Sequence, residues 1–473
     1  MKKLILMLCM LLLLCSCVDG ATKIGLDRLN WSQSDTVMVG PYSHDDYVVD
    51  GVNDQIEINQ AIAYAIANSK SVVQLENYNY SINGTIMLSP HITLCGMAWP
   101  RFVSDRVNLA GDSFARLSIV FSTSEAIVLG NGSSVIGLEF LYPANMLYSR
   151  SYYPATILVG DHIGGAEVGY CHPMNPYYFI NDTGAYTVLN YYHDIYGYFL
   201  ERGILINCSV HGTEIERVHF LPGFAGLQNY ETVYNYVAAY GTCIEIIRAD
   251  GFIIRDCKMW DMGYGIKITG THAQPQQGGI ITDCMFDEVP HPLTIAWSKY
   301  VDINNVGTFA AAGSWTAGVH YTTALVNYTS FELTDCDGYV IRGGTHASGG
   351  HIVKAIRSNT SISSLILMGW GNADSGVVSG IQFTDCNHLT GFNLVNGCTF
   401  RQGGNDDVGV GITNCKYVMV TNNIGHTGAY SVAIGNAATD YYTISNNMLH
   451  STSGIYNDAL GAPHQVIEHN LDT

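Results

Sequence analysis

The chain has 473 residues with 21 basic and 40 acidic side chains, a formal net charge of −19. That balance excludes capture of nucleic acid or of an anionic membrane surface by bulk electrostatics. Only 13% of residues are charged, whereas 50 are Gly and 31 Tyr, and with the many Val, Ile, Thr and Asn this favours strands and turns over long amphipathic helices.

Residues 1–17 read as an export signal: Lys2 and Lys3 precede an apolar run, Leu4 to Leu14, that is too short to span a bilayer. Leu14-Cys15-Ser16-Cys17 resembles a bacterial lipobox, which makes Cys17 the candidate lipidation site. An ordinary signal cut near Ala21 is the alternative. Either one implies export, with any membrane association through a lipid anchor only. Residues 18–44 read as an N-terminal linker or strand, and 45–473 as one domain.

From Asp45 the pattern becomes specific. Asp54 is placed to N-cap a helix over Asp54 to Ser69 with Glu57 completing a capping box, and Ile58, Ile62 and Ile66 recur every four residues. Short strands follow over Ser71–Leu75, Tyr80–Leu88 and His91–Gly96. This block resembles the N-terminal cap and first coils of the pectin-lyase-like superfamily, including its pectate-lyase-type and phage-tailspike-type members. The resemblance implies an all-β fold, a single-stranded right-handed parallel β-helix with a short N-terminal capping helix.

Repeats carry the reading beyond Gly96. Asp-Cys recurs at Cys257, Cys284, Cys336 and Cys386, each after apolar alternation, and Asn396-Gly-Cys398 and Thr413-Asn-Cys415 continue the theme. Stacked coils turn such repeats into internal columns, so one buried ladder of unbridged thiols is expected. The pattern is interrupted over Tyr142 to Tyr153, Tyr170 to Gly197 and Phe224 to Tyr240, which read as loops standing off the coils. Tyr191, Tyr192, Tyr234 and Tyr236 in them are candidate substrate-binding residues, able to stack on sugar rings, although packing of the loops explains them equally.

Glycoside hydrolysis needs two carboxyl groups within roughly 5–10 Å. Aligning the segments after Cys257 and Cys284 sets Asp261 beside Glu288, the candidate catalytic pair, whereas Asp256 and Asp283 recur and read as turn positions. A lyase would draw on Lys267 with Arg255. The polygalacturonase residue set is not present in order, and neither is a pectate-lyase calcium cluster. No cofactor is therefore read: calcium fits the superfamily but is not indicated, and alternation separates His211, Glu214, Glu216 and His219 too widely for a metal site. The expected partner is extracellular polysaccharide, with no nucleic acid. A polysaccharide lyase or hydrolase, a non-catalytic glycan-binding or adhesion module and a structural fibre all remain open, as do the glycan and the oligomeric state.

Overall fold

The computed structural model describes residues 35–97, 114–121, 123–146, 152–207, 209–221, 236–237, 239–309, 329–347, 350–370, 378–387, 392–403, 407–435, 439–451, 453–458 and 464–470. Every strand pairing among them is parallel, and each coil visits three faces in turn. Sheet I has 17 strands and sheet II has 14; the third face carries a 4-stranded and then a 10-stranded stack. One coil shows the order: Phe252–Arg255 on sheet I, Lys258–Trp260 on the third face, Tyr264–Thr269 on sheet II, then Gln276–Thr282 on sheet I again. This is the right-handed parallel β-helix expected from the sequence.

The core consists of columns of like residues held in register. On sheet I, Ile254, Ile281, Ile303, Ile341, Ile362, Val395, Val420 and Ile444 stack one above another and are all buried. On sheet II the matching column includes Ile204, Ile244, Ile266, Leu293, Phe331 and Val353. Full burial of each such side chain stabilises the fold by about 1.5–3 kcal/mol.

Helix α1 spans Gln55–Ala67 and covers the first coil with Ile58, Ala61, Ile62 and Ala65. Ile66 is exposed, because eight residues beyond Ile58 an α-helix has rotated about 80° away from that face. The capping box does not form. Asp54 makes no side-chain cap; its carboxylate accepts instead from the backbone N–H groups of Ser81 (2.7 Å) and Gly51 (2.8 Å), which ties the helix to the coil beneath it. Sheet I also starts earlier than expected, since Thr36–Gly40 pairs with Val72–Leu75.

Tyr170 to Gly197 is not a loop. It contains the strands His172–Met174, Tyr178–Asp182, Tyr191–His193 and Tyr196–Gly197, each in register with a neighbouring coil. Tyr178, Tyr191 and Tyr196 lie half-buried on the outside while Tyr192 and Asn190 are buried, so the polar composition there is that of stacked strands and not of a protrusion.

The single cysteine ladder resolves into two. Cys171, Cys257, Cys284 and Cys398 follow sheet I strands, whereas Cys336, Cys386 and Cys415 follow sheet II strands. Both corners need a left-handed residue and then a small buried one: φ is 54° at Asp256, 56° at Asp283, and 55° at both Asp335 and Asp385. The same Asp-Cys dipeptide therefore serves two places. The nine described cysteines are free and buried, and burial pushes the thiols of Cys95, Cys171 and Cys336 up to about 12, which keeps them unreactive.

Toward the C-terminus Asn takes over the sheet I corner. Asn423, Asn447 and Asn470 lie one coil apart; Asn447 accepts from the Asn423 side chain at 2.9 Å and donates to Asn470 at 3.0 Å and to the Val420 carbonyl at 2.9 Å. Asn447→Ala strands several of these buried groups and should cost about 2–4 kcal/mol by urea denaturation. Asn446→Gly, at the exposed left-handed position beside it, should cost less than about 0.5 kcal/mol.

Candidate functional site

The outward face of sheet II gathers chemistry over five successive coils, whose strands include Tyr178–Asp182, Arg202–Ile206, Thr242–Ile246, Tyr264–Thr269 and His291–Ala296. At one strand spacing per coil these span roughly 19 Å. Their inward residues are the aliphatic column described above, so Glu245 and Lys267, at the alternate position, must face outward.

A cluster of tyrosines surrounds Glu201. Tyr236 donates to Glu201 Oε2 at 2.9 Å, Tyr178 donates to Oε1 at 3.2 Å, and the Tyr177 and Tyr236 hydroxyls lie 3.2 Å apart. Burial, then hydrogen bonding to Glu201, raises the Tyr177 phenol, and burial with the nearby Glu201 charge pushes Tyr178 up to about 12. Both stay neutral donors at physiological pH. Tyr152 packs edge-on against Tyr177, and Tyr240 lies 4.9 Å from Tyr236; both outer rings are 60% exposed.

Beside this cluster, Arg202 pairs with both Glu201 and Glu245, and Lys267 pairs with Glu245 at 3.2 Å. Lys267 also lies 5.5 Å from the centre of the Tyr264 ring, which stacks on His291 at 4.7 Å. Burial holds His291 below the ordinary imidazole range, with the Glu332 charge opposing it. The face thus offers aromatic surface, two carboxylates and two cations, with the cations already matched to acid.

Tyr236 and Lys267 of the candidate residues fall on this face. Arg255 does not: it lies on sheet I, paired with Glu214 and Glu216, so it cannot work beside Lys267. Tyr191 is on sheet I too, donating to Glu216 at 2.6 Å. Tyr192 is 0% exposed and donates to the buried Asp182 at 2.8 Å. It is a core residue and cannot meet a substrate, because the strand alternates and its neighbour took the outward position. Tyr234 and Cys17 lie outside the described residues. Glu201, Arg202, Glu245 and Tyr264 were missed by sequence reasoning, since they become neighbours only through stacking.

Asp261 and Glu288 do occupy equivalent corners of adjacent coils, as the register required, following the paired Trp260 and Asp287. Both are left-handed, with φ of 54° and 55°. Asp261 is 4% exposed, while Glu288 is half-buried and accepts from Trp260 Nε1 at 3.3 Å. Of the two, only Glu288 presents appreciable surface.

Sheet I carries a second charged network. His193 is sandwiched between Glu167 (2.9 Å) and Asp194 (2.8 Å), Asp194 takes two hydrogen bonds from Arg217 at 2.7 Å, and Arg217 and Arg255 both pair with Glu216. Burial pulls His193 down, but hydrogen bonds to Asp194 and Glu167 outweigh it and raise the imidazole above its ordinary 6.5. The Tyr191 and Tyr170 rings and Arg217 complete its surroundings.

No family model matches the chain, and no curated protein is similar to it. Among solved structures it is similar to the N-terminal fragment of bacteriophage phi29 gene product 12, with a TM-score of 0.59 and 13% identity, over 85% of this chain and 69% of that one. It is also similar to the tailspike protein of E. coli bacteriophage HK620 in complex with pentasaccharide (TM-score 0.43, 12% identity, 87% of this chain and 65% of that one). A third is the catalytic domain of a GH87 α-1,3-glucanase in complex with nigerose (0.40, 13%, 87% and 67%). At 13% identity the likeness to the phi29 fragment is one of fold alone: the chain is a right-handed parallel β-helix.

The His193 network has a measurable signature. A folded-state value above the unfolded one adds stability that is complete below the ordinary value and lost as pH rises through the raised one. Stability to urea should therefore decline as pH climbs from about 6.5, and His193→Gln should flatten that decline. The histidines that burial holds neutral, His219, His291, His346 and His351, act on the acid side instead.

Proposed function

We propose that this is an exported, lipid-anchored protein that binds an extended polysaccharide along sheet II, across the tyrosines around Glu201 and the Tyr264–His291 stack. The observation that carries the reading is the alignment of the exposed Tyr152 and Tyr240 rings and the half-buried Tyr264–His291 stack with paired carboxylates and cations over several coils. Aromatic faces stack on sugar rings, and phenol, carboxylate and ammonium groups hydrogen-bond sugar hydroxyls. Because Arg202 and Lys267 are both matched to Glu245, the face suits a neutral polymer better than a polyuronate, for which unpaired cations would be needed.

A purified chain free of residues 1–17 should be retained by a neutral polysaccharide in affinity electrophoresis over a panel of neutral and acidic polymers. Tyr152→Ala, Tyr240→Ala and Tyr264→Ala should each weaken retention about three- to tenfold, the loss of roughly one stacking contact. Tyr441→Ala, on sheet I, should leave it unchanged. Equal retention by all four variants, or none by the parent, would sink the proposal.

Cleavage is the second reading. It is favoured by the meeting of two carboxylates, Glu201 and Glu245, at Arg202, and the corner pair Asp261 and Glu288 is the other acid–base set. Reducing-end and unsaturated-product assays with Glu201→Gln, Glu245→Gln, Asp261→Asn and Glu288→Gln assign any activity, since a general acid or base contributes about a hundredfold or more. The anchor is tested separately: Cys17→Ser should move the protein from the membrane to the soluble fraction and abolish labelling by a fatty-acid analogue.

A further inference from the structure

A cluster of potential ligands lies far from sheet II, at the start of the solenoid. The chain leaves the first strand, Thr36–Gly40, turns through Tyr42 to Asp45, and re-enters sheet I at Tyr47–Val48. In that turn the Asp45 side chain is 0% exposed. Its Oδ2 accepts from the Tyr42 N–H at 2.8 Å, but its Oδ1 is buried with no hydrogen-bond partner. A carboxylate oxygen withdrawn from water and left so is costly unless a cation or donor meets it.

Two further donors converge on it. His44 Nε2 lies 3.9 Å from Asp45 Oδ1, and one ligand atom from each of His44, Asp45 and Glu76 lies within 4.8 Å of the others. The imidazole, largely exposed, is stacked on Tyr42 with ring centres 5.4 Å apart and planes 5° from parallel. Gly40 keeps the space open: a Cβ there would come within 2.6 Å of both Asp45 Oδ2 and Glu76 Cγ. The backbone beneath is fixed, since the Glu76 N–H donates to the Val39 carbonyl and the Tyr80 hydroxyl bonds the carbonyls of both Val39 and Glu76.

We infer that His44, Asp45 and Glu76 bind one divalent transition-metal ion, zinc by the match of its ligand preferences. One imidazole nitrogen and two carboxylate oxygens are the donors zinc takes at about 2.0–2.2 Å, which sets ligand atoms roughly 3–3.6 Å apart. A small rotation of the exposed imidazole closes the 3.9 Å gap to that range. A calcium ion would take oxygen ligands in greater number and make no use of the imidazole. The ion would pin the Tyr42–Asp45 turn to the first coil through Glu76, and so anchor the end of the solenoid that α1 covers. Further ligands would be water.

The test uses the chain without residues 1–17, freed of metal by chelator, and calorimetric titration with zinc, manganese and calcium chlorides. Zinc should bind at one equivalent, tighter than manganese, and should raise the melting temperature. His44→Ala alters an exposed side chain, so it should fold normally while weakening zinc at least tenfold and losing the zinc-dependent rise in melting temperature; Glu76→Gln should do the same. No zinc uptake overturns the inference, as does zinc uptake unchanged in both variants, or calcium bound more tightly than zinc.

Discussion

Each coil must return its backbone to the same position one strand spacing further along the axis, about 4.8 Å on. That requirement governs the rest of the molecule. It forces the chain to turn sharply between faces, and a left-handed residue does so in one step. Non-glycine residues ordinarily avoid that conformation, at a cost of about 1–2 kcal/mol each. Here Asp, Asn and others accept it at corner after corner, from Asp194 and Asp256 to Asn422 and Asn446. Parallel hydrogen bonding and the buried columns offset the cost, and the short polar side chains at the corners add contacts to the next coil, as Asn305 does to Asp283 and Arg357 to Asp335.

The same stacking decides what fills the corners inside. A buried corner position must satisfy the backbone of its neighbour or be small enough to avoid it. Asn423 and Asn447 take the first course, with side-chain amides bridging coils. The cysteines take the second, with thiols lying against nearby carbonyls, as Cys257 does at 3.2 Å from the Arg255 oxygen. All of them are buried and unbridged, so their recurrence reflects packing of the corners.

Outside, stacking turns single residues into extended surfaces. Charges on successive coils are close enough to pair, and they do so differently on the two large faces. On sheet I the His193 network is closed upon itself, each charge meeting an opposite one. On sheet II the charged centre is flanked by exposed rings, so polar groups and open aromatic surface lie side by side over several coils. A long, regular face of that kind matches a long, regular polymer.

By itself the sequence determined the elements that depend on local periodicity. Alternation of apolar residues, the recurring Asp-Cys dipeptides and the amphipathic run behind Asp54 make a capped solenoid readable without coordinates. They also align Asp261 with Glu288, because those coils have matching segments after their corners. What only the tertiary structure decided is position around the coil. Coil lengths differ, with 22 residues from the corner at Asp283 to that at Asn305 and 38 from Asn305 to Gly343, so spacing does not index the face. Hence Cys284 and Cys336 lie at different corners, Lys267 and Arg255 lie on different sheets, and the segment from Tyr170 to Gly197 is a full coil. Face and parity are fixed by the in-register pairing of whole strands: it turns Tyr191 outward and Tyr192 into the core, and brings Glu201, Arg202, Glu245 and Lys267 together from separate coils.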